Sequence, residues 1–140
     1  MNEPSFTEIT ELGEFGLIDY LTQNITIQNS STVKGVGDDC AVIDNKGYQT
    51  VVSVDMLVEN VHFDRMYTPL KHLGYKAITS GISDIYAMNA MAEQVIVSIA
   101  VSNQHSVEML SEIYSGMLTA CKLYNVDLVG GDTTTIPTGM

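Results

Sequence analysis

The spacing of apolar residues along the chain predicts three amphipathic helices. The first covers residues 13–24. The second takes Thr68 as its N-cap, has Pro69 in its first turn, and runs to about Ala92. The third begins after Ser106, a second N-cap residue, and presents one apolar stripe that we expect to be buried.

Short segments rich in β-branched residues lie between and around these helices. They cover residues 32–36, 40–44, 49–58, 94–102 and 127–129. The order of elements predicts an α+β fold, in which a mixed or antiparallel sheet carries helices on one face. The other face of so small a sheet would expose apolar side chains, so we expect oligomerisation to cover it.

Composition narrows the class of protein. A chain of 140 residues can form one domain with a single core. Its 17 acidic and 6 basic residues give a net charge of −11, which leaves no cationic face for nucleic acid or an anionic membrane. No run reaches the ~18 consecutive apolar residues of a membrane helix. Residues 1–12 lack the apolar region of a secretory signal, and Cys40 and Cys121 lack metal-binding spacing, which together indicate a cytoplasmic protein with reduced thiols.

Aspartates recur beside predicted strands and inside a helix of this apolar framework. They are Asp38, Asp39, Asp55, Asp84 and Asp132. Each has an ordinary explanation, namely a solvated turn for the Gly-Asp-Asp and Gly-Gly-Asp motifs, a strand-end cap for Asp55, or a surface position for Asp84. Several buried carboxylates together are costly unless a cation neutralises them. Because Mg²⁺ prefers such oxygen ligands and commonly brings phosphates with it, the pattern predicts a magnesium site.

His62 ends an apolar segment and has two interpretations. It fits a half-buried polar position with no further role. It also fits a contact with substrate, in which the ring donates to a phosphate or stacks on a heterocycle.

In order along the chain, the segments GEFGLID, GVGDDCAVI, SVDMLVENVHF, YKAITSGISDIYAMNA and LVGGDTT resemble the N-terminal half of thiamine-monophosphate kinase. That family belongs to an ATP-binding superfamily with aminoimidazole ribonucleotide synthetase and selenophosphate synthetase. The resemblance implies Mg²⁺-dependent transfer of the ATP γ-phosphoryl group to thiamine monophosphate, giving thiamine diphosphate. It also implies a homodimer in which N-terminal strands of both subunits join into a barrel. Residues 1–140 would then be the metal- and ATP-binding, dimerising first domain of a two-domain enzyme.

The resemblance further implies roles for individual residues. Positions that match magnesium ligands are Asp39, Ser53, Val54, Asp55, Asp84 and Asp132. Gly131 and Asp132 match a nucleotide-contacting turn, Tyr114 falls near an ATP contact, and His62 matches a substrate-binding position. No catalytic base is expected, because phosphoryl transfer depends mainly on alignment and charge neutralisation. Val54 stands where the family commonly has Thr, so only its carbonyl could bind a metal.

Two other readings stay open at this point. One is a different synthetase of the same superfamily, and the other is a non-catalytic module for dimerisation and metal binding. We expect little or no kinase activity from these 140 residues by themselves, because the family's second domain supplies further ligands and part of the thiamine pocket.

Overall fold

The structure is a computed structural model and describes residues 9–140. In chain order its elements are α1 (Ile9–Thr22), β1 (Thr32–Lys34), β2 (Ala41–Asp44), β3 (Gln49–Val52), α2 (Leu70–Ala87), β4 (Gln94–Val101), α3 (Val107–Tyr124) and β5 (Asp127–Thr135). The predicted α+β class is confirmed. The expectation that the first residues carry no secretory signal lies largely outside the described part. No helix within residues 9–140 combines the length and apolar character that a membrane crossing requires.

The strands form two sheets, where a single sheet was expected. Strands β1, β2 and β3 make an antiparallel sheet in that order. The β2–β3 hairpin pairs Asp44 with Gln49, and its turn places Lys46 and Gly47 at positive φ, as the Asp-Asn-Lys-Gly sequence predicts. Strands β4 and β5 form a separate parallel pair. Parallel neighbours need a long crossover connection, and α3 supplies it.

The core lies between α2, α3 and the parallel strands. Its buried residues are Phe63, Leu73, Ile78, Ile82, Ile113, Met117, Ala120, Cys121 and Val126. The two helices approach closely where each has a glycine: a β-carbon on Gly74 would lie 1.8 Å from the Ile113 carbonyl oxygen, and one on Gly116 would lie 1.9 Å from that of Lys71. Glycine at these two positions therefore sets the distance between the helices.

Helix α2 differs from the prediction at both ends. Thr68 does not cap it; Pro69 occupies the N-cap position without a side-chain bond. The helix ends at Ala87, five residues before the predicted end, because Asn89 adopts a left-handed conformation with φ 55°. Asp84 therefore lies in the last turn of α2 and not in the middle of a helix.

The other boundaries were predicted with mixed success. Ser106 caps α3 as expected, accepting a hydrogen bond from Met109 N over 3.3 Å. Strand β3 ends at Val52, whereas the pattern predicted strand as far as residue 58. Strand β5 continues to Thr135, although the prediction ended it at residue 129, before the Gly-Gly-Asp motif.

Candidate metal and nucleotide site

Ser53 and Asp84 meet where β3 ends and α2 finishes. The Ser53 hydroxyl donates to Asp84 Oδ2 over 2.5 Å, and both residues are partly buried. Ser53 directly follows the last residue of β3, so this hydrogen bond holds the end of β3 against the last turn of α2.

Cys40 lies beside this pair and brings a second acidic residue to it. The thiol is 2% exposed and immediately precedes β2. Burial raises the pKa of the Cys40 thiol, and the negative charges of Asp84 and Asp39 raise it further. A hydrogen bond with Ser53 lowers that pKa, and Asp38 adds another increase. Ser53 and Asp84 are joined by a hydrogen bond, and Asp39 is an exposed residue that directly precedes Cys40 in the sequence. We call Asp39, Ser53 and Asp84 the oxygen cluster.

The two neighbouring aspartates of the Gly-Asp-Asp motif have different surroundings. Asp38 forms an ion pair with Lys34 and accepts a hydrogen bond from Asp39 N over 3.0 Å. The Lys34 bond, then the Asp39 amide, lower the pKa of the Asp38 carboxyl. Asp38 therefore has its own cation in the protein, which leaves Asp39 as the member of the pair that can serve an added metal ion.

Asp55 and Asp132 are not joined to the oxygen cluster by hydrogen bonds within residues 9–140. Asp55 is exposed, and its Oδ1 accepts from Met56 N over 2.8 Å. Asp132 lies on β5 in register with Ser98 of β4 and is also exposed. In the described part of the chain, no three His, Cys, Asp or Glu side chains converge as metal ligands.

The oxygen cluster nevertheless fits the chemistry of Mg²⁺. Two carboxylates and a hydroxyl are hard oxygen donors, and Mg²⁺ is usually held by one or two carboxylates together with waters and substrate phosphates. The side chain of Val54 has no oxygen that could bind a metal ion, and the residue is 93% exposed.

The Gly-Gly-Asp motif forms part of a strand where a turn was expected. Gly130 and Gly131 have φ of 155° and 156°, a region that other residues rarely adopt. A β-carbon on Gly131 would lie 1.8 Å from the Val97 carbonyl oxygen. Glycine at position 131 lets β5 pass close to β4, whereas a β-carbon on Gly130 would meet open space.

Tyr114 and His62 lie at separate places. Tyr114 lines a cavity of about 530 Å³ on α3. His62 is exposed, and its backbone oxygen accepts a hydrogen bond from Lys76 over 2.9 Å. Neither this cavity nor a second one of about 580 Å³ at the start of α2 is lined by the predicted magnesium ligands.

One polar network near His62 was not predicted from the sequence. It joins Glu59, Arg65, His105 and Ser102 by side-chain contacts. One available signal was that Arg65 is the only arginine of the chain. Arginine is the residue best suited to bind two polar partners at once.

The fold and these motifs define the class of protein. The chain belongs to the AIR synthase related protein family and carries its N-terminal domain, whose family model matches residues 37–139.

Within that class, the relatives bear the name that the motifs predicted. Thiamine-monophosphate kinase of Bacillus subtilis is 42% identical over 123 residues, which are 87% of this chain and 38% of the relative. The protein of that name from Methanocaldococcus jannaschii is 33% identical over 124 residues, 87% of this chain and 39% of its own. The predicted resemblance is confirmed.

A solved structure described as AaThiL complexed with AMPPCP and TMP agrees with this result. It superposes with a TM-score of 0.81 at 32% identity, covering 94% of this chain and 41% of that one. The chain thus spans about two fifths of the length of these relatives.

Proposed function

We propose that this chain is the N-terminal, metal- and nucleotide-binding domain of a kinase that phosphorylates thiamine monophosphate. In this reaction an oxygen of the substrate phosphate attacks the γ-phosphorus of ATP. The bond from that phosphorus to the β–γ bridging oxygen breaks, and ADP leaves with thiamine diphosphate as the other product. The observation that carries the proposal is the Ser53–Asp84 hydrogen bond beside Cys40, in a chain whose relatives are named for this activity.

Magnesium would be held first by the oxygen cluster. Asp55, Asp132 and the Val54 carbonyl are proposed as further ligands once nucleotide is bound. When bound there, the ion would supply charge neutralisation between two phosphate groups that otherwise repel each other, which phosphoryl transfer requires. The protein residues contribute by fixing where that charge lies: Ser53 holds the Asp84 carboxylate in one orientation.

ATP is proposed to bind along β5 near Gly131 and Asp132, with Tyr114 as a further contact. Support comes from Gly130, where nothing lies within 4 Å of the position that a β-carbon would take, so that phosphate oxygens have room beside the main chain. The solved relative carries AMPPCP, a methylene analogue of ATP, together with TMP.

A homodimer is proposed to form through the antiparallel sheet. Apolar side chains on and beside its strands are exposed, namely Val33 (54%), Val36 (59%), Ile43 (38%) and Val52 (50%). A second copy that continues the sheet into a barrel would remove this surface from water and cover the strand edges.

The activity is tested by coupled measurement of ADP release with ATP, Mg²⁺ and thiamine monophosphate. We expect turnover from a protein of the relatives' length that contains this chain, and little or none from the 140 residues alone. An Asp84→Asn variant should lose turnover, whereas Asp19→Asn, an exposed position on α1, serves as the matched control. ATP consumption that depends on selenide or on the substrate of an aminoimidazole ribonucleotide synthetase, and not on thiamine monophosphate, would overturn the substrate assignment.

A non-catalytic module is distinguished by calorimetry. If the domain binds metal and nucleotide together, titration of preformed Mg²⁺–ATP into the protein should give binding heat beyond that of its dilution into buffer. A protein that only dimerises would show dilution heat alone.

A further inference from the structure

His62 lies in a tight turn of residues 58–63, here called the His62 turn. Its backbone is closed by His62 N donating to Val58 O over 2.8 Å and by Asn60 N donating to Phe63 O over 2.7 Å. Asn60 is in the left-handed region at φ 63°. The turn is thus defined by its own hydrogen bonds, although it belongs to neither helix nor extended sheet.

The ring of His62 is oriented from within the turn. Val58 N donates to His62 Nδ1 over 3.0 Å. Because Nδ1 accepts this bond, a neutral ring carries its proton on Nε2. The side chain is exposed, and Nε2 has no partner among residues 9–140. His62 therefore presents an N–H donor on the side of the ring that faces away from the backbone.

Glu59 anchors the His62 turn to the rest of the molecule. Its backbone N donates to Met140 O over 3.0 Å, and its carboxylate forms an ion pair with Arg65. The Glu59 side chain is only 9% exposed, and its Oε2 is buried without a hydrogen-bond partner in the described residues. A carboxylate buried to this extent depends on its cation, so Arg65 determines where Glu59 and the turn are held.

His105 in turn holds Arg65. Arg65 Nη1 lies 3.0 Å from His105 Nε2, and since arginine can only donate, Nε2 accepts. The proton of His105 is consequently on Nδ1, which lies 3.1 Å from the Ser102 carbonyl and 3.0 Å from its hydroxyl. Ser102 is 2% exposed and directly follows the last residue of β4. The two histidines therefore have opposite tautomers, each fixed by its neighbours.

We propose that Arg65 and His105 are positioning residues for the phosphate-acceptor substrate. Through Glu59 they hold the His62 turn so that His62 Nε2–H donates to an acceptor atom of that substrate. The identity of the substrate rests on the proposed function; the arrangement of the turn does not.

The arrangement is tested on the 140-residue chain by long-range ¹H–¹⁵N NMR of the imidazole rings. We expect an Nε2–H signal for His62 and an Nδ1–H signal for His105. The reverse assignment at either histidine would overturn the inference.

The coupling to the turn is tested by substituting His105, which contacts Arg65 but is not itself a member of the Glu59–Arg65 ion pair. His105→Leu removes the acceptor for Arg65, whereas the Oε1 atom of His105→Gln can replace Nε2. We expect hydrogen exchange at the His62 amide to be about tenfold faster in His105→Leu, the effect of one lost hydrogen bond, and close to the parent rate in His105→Gln. His72→Leu, which removes an exposed imidazole on α2, is the control.

The effect on substrate binding is measured in a protein of the relatives' length. In Arg65→Lys the lysine cannot bind both Glu59 and His105 in one geometry. For this variant and for His105→Leu, we expect the KM for thiamine monophosphate to rise about tenfold over the parent value. The kcat and the KM for ATP should stay within about twofold of the parent values. His105→Gln should restore the parent KM. Unchanged KM in folded His105→Leu overturns the positioning role. If no variant or parent uses thiamine monophosphate, the proposed function fails, and the NMR and exchange results still decide whether the turn is held in this way.

Discussion

The Ser53 hydroxyl donates to the Asp84 carboxylate over 2.5 Å, although 31 residues separate the two in sequence. The bond lies beside the buried Cys40 and links the end of a strand to the end of a helix. Because the Ser53 hydroxyl orients the Asp84 carboxylate, substitutions of the two residues should affect metal binding to different extents.

Asp84→Asn removes a charged oxygen donor, whereas Ser53→Ala removes only the group that orients it. We expect Mg²⁺ affinity in the presence of ATP to fall more than about tenfold for Asp84→Asn, since a bond to a charged group contributes about 1.5–3 kcal/mol. The fall should be smaller for Ser53→Ala, because that variant keeps the carboxylate. Isothermal calorimetry measures both. Equal affinity of Asp84→Asn and the Asp19→Asn control would contradict a role of Asp84 as a ligand.

The contact between α2 and α3 predicts a large effect of single methyl groups. Gly74→Ala or Gly116→Ala would place a β-carbon within 2 Å of a backbone oxygen of the facing helix. We expect each to lower the free energy of unfolding by about 3 kcal/mol or to prevent folding.

The matched control for this contact is Gly81, which lies on α2 and has open space where a β-carbon would be, with nothing within 4 Å. Gly81→Ala should stabilise the protein by about 0.5–1 kcal/mol through improved helix propensity. Urea unfolding followed by circular dichroism compares the three variants, and similar midpoints for all of them would show that the helices do not approach as described.

The two helices also differ in how their first turns are capped. Ser106 accepts from Met109 N, so Ser106→Ala should cost about 1 kcal/mol of stability. Thr68 makes no side-chain cap bond to α2, and Thr68→Ala should change stability by less than about 0.5 kcal/mol. A larger loss for Thr68→Ala in urea unfolding would restore the sequence-based assignment of that cap.

The buried thiol of Cys121 predicts a loss of stability at alkaline pH. Burial, then the charge of Asp127, raise the pKa of this thiol, while a backbone hydrogen bond lowers it. As pH rises, the thiol therefore loses its proton at a lower pH in the unfolded chain than in the folded chain. The stability that the buried, protonated thiol contributes is fully present below the unfolded thiol pKa of about 8.5 and is lost as pH rises through the folded pKa. Cys121→Ala should reduce the decline in unfolding free energy between about pH 7.5 and pH 9.5. An unchanged slope would show that the group does not titrate in this range.

Much of the local structure was predictable because it depends on neighbours in sequence. The cap at Ser106, the Asp-Asn-Lys-Gly hairpin and the apolar stripes of α2 and α3 all express short-range preferences. The errors at the ends of α2 and β5 have a common cause. Asn89 ends α2, and Gly131 lets β5 continue, because each adopts a positive φ that the composition of the chain does not determine.

The candidate site was predictable in its residue types and only partly in its arrangement. Sequence motifs marked Asp39, Ser53 and Asp84 as oxygen donors, and the structure joins Ser53 to Asp84 by a hydrogen bond. The functional roles of all predicted site residues stay predictions, namely those of Asp39, Ser53, Val54, Asp55, His62, Asp84, Tyr114, Gly131 and Asp132.

The sequence by itself determined the class of the domain, its helices and the identity of its acidic motifs, because periodicity and capping act over a few residues. Only the tertiary structure decided that Ser53 orients Asp84 and that Arg65 meets His105, 40 positions away. Such contacts arise when packed elements bring distant side chains within hydrogen-bond range, and no local pattern in the chain encodes that distance.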